Sequence, residues 1–282
     1  MMRLLLGKPL AEKLYEASRA RSDSLRDRGV VPRLAAVSVG VEPAANTYVQ
    51  RLVSRGRRLG MTVDDVALPG DATERTVTTT LERLGREPAV HGVLLLTPLP
   101  GKLDEAHLVD HLARDKDVEG MSPYSAGLLA EGRPRFVPST AEAIVALLKF
   151  YDVPLEGARA TIVGRSTVVG RPVALLLLQE HATVTIAHTK TADVAAATRG
   201  AEIVVVAVGR AGFLRGEMIS KGATIVDAGI NVAPRGIVGD VDVASVSSVA
   251  GALTPVPGGV GAVTTEILLR NVITAAEQAR PE

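Results

Sequence analysis

The feature that most constrains this chain is an alternation running its whole length, in which short apolar, β-branched runs are separated by segments of helical period. The spacing predicts a helix over Leu10–Arg28, a strand over Arg33–Gly40, a helix over Pro43–Gly60 and a strand over Met61–Leu68. A helix follows over Thr73–Glu87 with Thr73 as its N-cap, then a buried strand over Val90–Thr97 and a helix over Leu103–Leu112. Asp115–Pro138 breaks the rhythm: Gly120, Pro123, Gly127, Gly132, Pro134 and Pro138 fall in it, as in a loop-rich boundary. The alternation then restarts with helices over Ser139–Tyr151, Val169–His181 and Ala192–Gly200. Strands are expected at Arg159–Gly164, Thr183–His188, Glu202–Val208 and Ala223–Gly229, and a loop over Thr254–Gly261 leads into a last helix, Ala262–Ala279. Strands spaced by helices require crossovers and a mostly parallel sheet, so the fold class is α/β in two domains, the second opening near residue 139.

Composition narrows the chemistry. The 32 Lys and Arg against 31 Asp and Glu leave a formal charge of +1, with no net field to draw nucleic acid or an anionic membrane. The longest apolar runs reach six residues, as in Val173–Leu178 and Ile203–Val208, far short of a bilayer span. The opening Met-Met-Arg-Leu-Leu-Leu-Gly-Lys is too short an apolar stretch for a signal peptide, and a cytoplasmic protein is expected. The absence of cysteine excludes disulfides, thiolate metal sites and Cys nucleophiles. His107 and His111 stand four apart without the Glu of a zinc-protease helix, and read as a solvated face; no metal is expected.

The strand Arg159–Val163 runs into Gly164-Arg-Ser-Thr-Val-Val-Gly170-Arg-Pro172 and then a Leu-rich helix. A strand, a glycine turn and a helix N-terminus together form an anion site, because unpaired N–H groups and the helix dipole face the turn. The glycines stand six apart, so the G-x-G-x-x-G pattern is absent and the turn alone is also compatible with a plain βα connection. An NAD site expects a ribose-binding carboxylate at the end of the next strand, but that strand ends Ile186-Ala-His-Thr-Lys190. Arg165, His188, Thr189 and Lys190 supply donors and positive charge suited to a 2′-phosphate, which favours NADP; a solvated loop charge is the other reading of Lys190.

These residues carry a resemblance. Ile162–Pro172, Ile203–Gly209, Val226–Asn231, Gly239–Asp242 and Thr254–Gly261 resemble the corresponding segments of methylenetetrahydrofolate dehydrogenase/cyclohydrolases of the FolD type. Val39–Val49, Pro98–Pro100 and Lys116–Gly120 line up in the same order. The resemblance implies an N-terminal folate-binding domain over 1–138 and a Rossmann-type NADP domain over 139–261. A C-terminal helix, 262–282, would return to the first domain, with the active site in the cleft between them. It implies an oxidoreductase of one-carbon metabolism acting on a tetrahydrofolate derivative, and a homodimer formed through the cofactor domain; the short, strongly apolar strand Ala201–Val208 reads from its residues as either a buried or an edge-pairing strand. Carried over by position, Tyr48 would lie against the folate ring system. Glu119 would hydrogen-bond the pterin in place of the usual Asp, and Pro257, Gly258 and Gly259 would bring backbone to the folate. Gly164, Arg165, Ser166, Thr189 and Ile230 would contact NADP. From the residues alone, Tyr48 is equally a core ring and the Pro-Gly-Gly turn a helix lead-in.

Two departures stand out. The family usually reads Tyr-x-x-x-Lys-x-Lys, whereas this chain reads Tyr48-Val-Gln-Arg-Leu52-Val-Ser54. The usual Gln before Leu-Pro-Leu-Pro is Leu96, in Gly92-Val-Leu-Leu-Leu-Thr-Pro-Leu-Pro100. Those positions are the pair the family uses for its hydrolytic step, in which a lysine moves a proton for the attacking water. Leucine does neither task, and Arg51 and Arg55 do not give up a proton near neutral pH. No residue is therefore assigned as a catalytic acid or base. Hydride transfer asks for orientation and exclusion of water rather than for an acid or base, so dehydrogenase activity is expected to survive and cyclohydrolase activity to be weak or lost. The full bifunctional enzyme and a non-catalytic folate- or NADP-binding paralog are the alternatives.

Overall fold

The computed structural model describes residues 2–40, 43–101, 103–234 and 236–279. Val41 and Glu42 of the Val39–Val49 motif, and residues 280–282 of the expected last helix, lie outside the described residues. The first half runs β1 (Arg3–Leu4), α1 (Gly7–Asp27), β2 (Arg33–Val39), α2 (Pro43–Arg58) and β3 (Thr62–Leu68). It continues with α3 (Glu74–Arg86), β4 (Gly92–Leu95), α4 (Glu105–Val109) and α5 (Pro123–Ala130). The second half runs α6 (Ser139–Phe150), β5 (Arg159–Val163), α7 (Gly170–Gln179), β6 (Thr183–Ala187), α8 (Val194–Arg199) and β7 (Ile203–Val206). Then come β8 (Thr224–Asp227), β9 (Asn231–Ala233), β10 (Gly236–Val238), α9 (Val243–Val246), β11 (Ala252–Leu253) and α10 (Thr264–Gln278).

The chain divides into two compact units, one of Lys13–Val137 with Glu266–Glu282 and one of Met1–Glu12 with Pro138–Thr265. The first holds a parallel three-stranded sheet in the order β3-β2-β4. Side chains alternate across its strands. Leu34, Ala36, Leu94 and Leu96 point to one face, where α1, α2 and α10 cover them with Leu25, Val49, Leu52, Leu268, Leu269 and Val272. Ala35, Val37, Val39, Val93 and Leu95 point to the other face, against Val77, Leu81 and Leu84 of α3 and Leu108 and Val109 of α4. Thr73 caps α3 as the sequence suggests, its hydroxyl accepting from the Thr76 amide at 3.2 Å.

The second unit is a six-stranded, wholly parallel sheet in the order β1-β11-β8-β7-β5-β6. The chain passes from β5 outward to β6, then returns past β5 to β7. That reversal leaves a crevice at the carboxyl ends beside β5, where open α/β sheets bind ligands.

Several expectations need correction. Residues 1–12, placed by sequence in the N-terminal domain, belong to the other unit, because β1 pairs with β11 through Arg3–Ala252 and Leu4–Leu253. Of the two readings of the strand within Ala201–Val208, the buried one holds and the edge-pairing one does not: β7 lies between β8 and β5, and the edges of the sheet are β1 and β6. Asp115–Pro138 is not all loop: Ser122 caps α5, with its hydroxyl accepting from the Ser125 amide and Pro123 in the first turn. The short β1 and β11 and the β9–β10 hairpin are not legible in the sequence, because two or three residues carry no readable period.

Candidate active site

The turn after β5 is built by two glycines. Gly164 has φ +132, and a Cβ there would run into the Ala207 carbonyl oxygen, so only glycine lets β5 end so close to the strand beside it. At Gly170 a Cβ would strike the Gly164 carbonyl, so the second glycine seats the first turn of α7 on the loop. Ser166 closes the turn: its hydroxyl oxygen accepts from the Val169 and Gly170 amides at 3.1 and 3.3 Å. With the oxygen so engaged, the hydroxyl proton is what Ser166 has to offer a phosphate. Arg165, Ser166 and Thr167 are exposed while Gly164 and Gly170 are buried.

At the end of β6, the neighbour of β5, the His188 amide donates to Thr191 Oγ1 at 2.9 Å and His188 Nδ1 accepts the Lys190 amide at 3.1 Å. Any N–H that His188 turns to a ligand is therefore on Nε2. Thr189 and Lys190 are exposed, and residues 188–190 include no carboxylate. Ile230, two residues past the Ala228 that follows β8, is 69% exposed, unusual for an isoleucine next to a buried strand. Gly164, Arg165, Ser166, Thr189 and Ile230 thus lie at the carboxyl ends of β5, β6 and β8, on a single edge of one sheet. With Lys190 beside Thr189, these residues fit a dinucleotide phosphate: a close-approach glycine, a hydroxyl donor, a helix N-terminus and the two exposed cations Arg165 and Lys190.

In the other unit, α2 places Tyr48, Leu52 and Arg55 along one face at i, i+4 and i+7. Tyr48 packs against the apolar cluster that contains Leu52 and Leu96. Burial pushes the Tyr48 hydroxyl well above the ordinary phenol range, the nearby Glu119 carboxylate adds to the rise, and Arg51 opposes it. The structure therefore brings Tyr48 and Glu119 together. Leu52 is fully buried and Leu96 is 8% exposed, so neither presents a polar or titratable atom.

The loop bearing Glu119 is held through the three residues before it, Lys116, Asp117 and Val118. Lys116 Nζ donates to the Glu87 and Leu84 carbonyls at 2.6 and 3.3 Å, closing the end of α3, and burial lowers its pKa. The Asp117 carboxylate accepts from the Met121 and Ser122 amides, both at 3.0 Å, and from the Ser125 hydroxyl at 2.7 Å. Asn271 Nδ2 of α10 donates to the Val118 carbonyl at 2.9 Å. Gly120 has φ +63 and lies against the Phe136 carbonyl, where a side chain would not fit.

Pro257, Gly258 and Gly259 belong to the cofactor unit, in a turn with a cis Val256–Pro257 bond and Gly258 at φ +103. The Gly258 carbonyl accepts from the Gly7 amide at 2.8 Å, and Pro257 and Gly258 are exposed.

Three arrangements were not foreseen from sequence. Arg55 Nε donates to Glu266 Oε1 at 2.6 Å, with the guanidinium 3.9 Å from the centre of the Tyr15 ring. Burial raises the Glu266 pKa against the pull of Arg55. The roles of Lys116 and Asp117 were invisible within a motif read only for Glu119, and so was a pair of buried carboxylates, Asp227 and Asp240, beside the cofactor edge. In sequence the last is marked by the acid that ends an apolar strand in Thr224-Ile-Val-Asp227 and by the family-like segments Val226–Asn231 and Gly239–Asp242, which hold the two acids but do not show that they meet.

Comparison with known proteins agrees with both halves. Residues 5–119 match the family model of the tetrahydrofolate dehydrogenase/cyclohydrolase catalytic domain, and residues 138–280 match that family's NAD(P)-binding domain. The chain is 46% identical over 277 residues to the bifunctional protein FolD of Roseiflexus sp. (strain RS-1), covering 98% of this chain and 96% of that one. The crystal structure of the bifunctional FolD methylenetetrahydrofolate dehydrogenase/cyclohydrolase from Campylobacter jejuni superposes with a TM-score of 0.95 at 37% identity, covering 98% of this chain and 99% of that one. The Trypanosoma brucei methylenetetrahydrofolate dehydrogenase-cyclohydrolase, solved with NADP and an inhibitor, gives 0.93 at 32% identity, covering 98% of each chain. With both domain models matched in order and relatives aligned from end to end, the chain belongs to the tetrahydrofolate dehydrogenase/cyclohydrolase family.

Proposed function

We propose that this protein oxidises 5,10-methylenetetrahydrofolate to 5,10-methenyltetrahydrofolate with NADP, and that its cyclohydrolase activity is weak or absent. The observation that carries this reading is the burial of Leu52 and Leu96 in one apolar cluster beneath Tyr48. By resemblance these two positions hold the proton-transfer pair of the hydrolytic step, and two buried leucines offer water neither an acceptor nor a donor.

What NADP supplies when bound is an acceptor for a hydride from the methylene carbon. The chain's own residues bind and orient. Gly164 and Ser166 shape the phosphate turn, and Arg165 and Lys190 provide positive charge for a 2′-phosphate where no carboxylate opposes it. Ile230 offers an apolar surface to the cofactor. Tyr48 and Glu119 face the folate, with Pro257, Gly258 and Gly259 contributing backbone. By the family resemblance the protein works as a homodimer, and a cytoplasmic location is the expectation from its sequence; light scattering tests the homodimer, and the mass of one 29.4 kDa chain at micromolar concentration rejects it.

The dehydrogenase reading is tested by following NADPH and the methenyl product together, with NADP and NAD in separate reactions. Equal amounts of both products, and a higher kcat/KM with NADP, are expected. Equal kcat/KM for the two cofactors overturns the NADP assignment. A second reading, the full bifunctional enzyme, is favoured by the relatives of 46% identity that are called bifunctional.

A further inference from the structure

The loop that follows β7 is held by a carboxylate from a distant part of the chain. The amides of three consecutive residues, Val208, Gly209 and Arg210, converge on Asp240: Val208 N and Gly209 N donate to Oδ2 at 2.6 and 2.9 Å, and Arg210 N to Oδ1 at 2.8 Å. Asn231 Nδ2, one residue past Ile230, donates to the same Oδ1 at 2.8 Å. Asp240 is completely buried. Successive amides arranged in this way make a concavity that binds anions, the device by which many proteins grip phosphate. Here the concavity lies at the cofactor edge of the sheet and is filled by the protein's own side chain.

Asp240 is itself fixed by the second carboxylate. Asp227, the last residue of β8, accepts from the amides of Gly229, Asp240 and Val241 at 2.9, 2.9 and 3.0 Å, and its own amide donates to Thr254 Oγ1 at 2.8 Å. Gly229 and Gly239 are each pressed against one of the two carboxylates, with no room for a side chain. The loops after β7 and β8, at the carboxyl ends of neighbouring strands, are therefore tied to one another through Asp240, and Asp240 is tied to the end of β8 through Asp227.

We propose that Asp240 is a positioning residue for the dinucleotide, an internal anion that occupies the backbone concavity of Val208–Arg210 and holds it and the Ile230–Asn231 segment in the binding arrangement before NADP arrives. The cofactor phosphates are then gripped at the Gly164–Gly170 turn and not by the Val208–Arg210 amides. This rests on the dehydrogenase reading above for its functional consequence, but not for its structural one. A loop already ordered costs no ordering entropy on binding, so its release appears in cofactor affinity more than in the rate of the chemical step.

The test uses the full-length Asp240→Ala variant, with hydrogen exchange at Val208–Arg210 and the kinetics of NADP reduction as readouts. In the wild type those amides should be protected without cofactor and gain little on adding NADP. In the variant they should exchange freely, and KM for NADP should rise about tenfold or more, the weight of one charge-assisted hydrogen bond, with kcat at saturating NADP nearly kept. Millimolar formate, a carboxylate small enough for the vacated concavity, should slow the exchange and lower KM again, while chloride at equal ionic strength should not. An unchanged KM, or a raised KM that formate leaves untouched, overturns the proposal. So does wild-type protection that appears only with NADP bound. Should the alanine variant fail to fold, Asp240→Asn decides on the same KM-against-kcat split, since a neutral amide of the same shape keeps the packing and loses the anion. A wild type that reduces no NADP would count against the dehydrogenase reading, and the exchange and formate arms would still judge Asp240.

Discussion

Leu52 of α2 and Leu96, the residue after β4, meet the same apolar cluster on one face of the three-stranded sheet, with Tyr48 packed against it. A leucine at one position alone would leave a polar partner facing hydrocarbon. Leucine at both makes the site uniformly apolar, so the two residues are expected to behave as a unit.

That unit predicts a specific non-additivity. Leu52→Lys places an ammonium in a closed apolar cluster without a partner, and should cost about 3–5 kcal/mol, the penalty of an uncompensated buried charge. Leu96→Gln strands an amide and should cost about 1–3 kcal/mol. In the double variant the two side chains pair, so it should be more stable than the sum of the single losses. Urea unfolding of the four proteins measures the coupling; strict additivity would mean the two sites do not meet.

Arg55 and Glu266 predict a pH dependence. Burial holds the Glu266 carboxyl above its ordinary pKa while Arg55 pulls it down. Because the folded value is raised, Glu266 contributes stability that is fully present below the unfolded carboxylate value of about 4.3 and is lost as pH rises through the folded one. Arg55→Ala removes the opposing pull and widens that window upward. The variant should be destabilised by about 3–5 kcal/mol at pH 7, as for one broken half of a buried pair. The deficit should shrink toward pH 4 as Glu266 takes up its proton. Unfolding midpoints across that range check this; a deficit independent of pH would contradict it.

Asp117 should matter to folate binding without touching folate. Its carboxylate satisfies two backbone amides and the Ser125 hydroxyl beside the Glu119 loop. Asp117→Ala leaves those donors buried and should cost about 1–3 kcal/mol for each one not reached by water. KM for the folate should rise as Glu119 loses its fixed position, while KM for NADP stays near the wild-type value. Steady-state kinetics with each substrate varied in turn separates these effects.

For the cofactor, Arg165→Ala should lower the ratio of kcat/KM for NADP over NAD about tenfold, by removing one charge-assisted contact to the 2′-phosphate. Gly164→Ala should impair both cofactors alike, because a Cβ there meets the Ala207 carbonyl and φ +132 is closed to alanine. An unchanged ratio in the Arg165 variant would show that the 2′-phosphate is read elsewhere.

Much of the fold was legible because its longer helices bury one face and so show a helical period, while its central strands, covered on both faces, read as continuous apolar runs. The strand Arg33–Val39 and the helix Glu74–Arg86 were read to within a residue, the helix through its Thr73 cap. β1 was not legible, since two exposed residues pairing with Ala252–Leu253 carry no pattern; with it went the placement of residues 1–12. At the cofactor turn, Gly164 and Gly170 were readable because each answers a local steric demand. The Asp240 clamp was not, because it joins residues 30–32 apart: Gly239–Asp242 was recognisable as a motif, but nothing local shows which amides its acid accepts. The burial of Leu52 was likewise beyond sequence, which showed the missing lysine but not that the position is closed.

We propose that this chain makes the methenyl compound and that its hydrolysis of that compound is weak or absent. Its most direct test follows the absorbance of 5,10-methenyltetrahydrofolate after addition to the purified protein without NADP, against a matched buffer control. Decay at the buffer rate is expected with the wild type, and faster decay with the Leu52→Lys/Leu96→Gln double variant. Clearance by the wild type well above the buffer rate would contradict it and leave the bifunctional reading in its place.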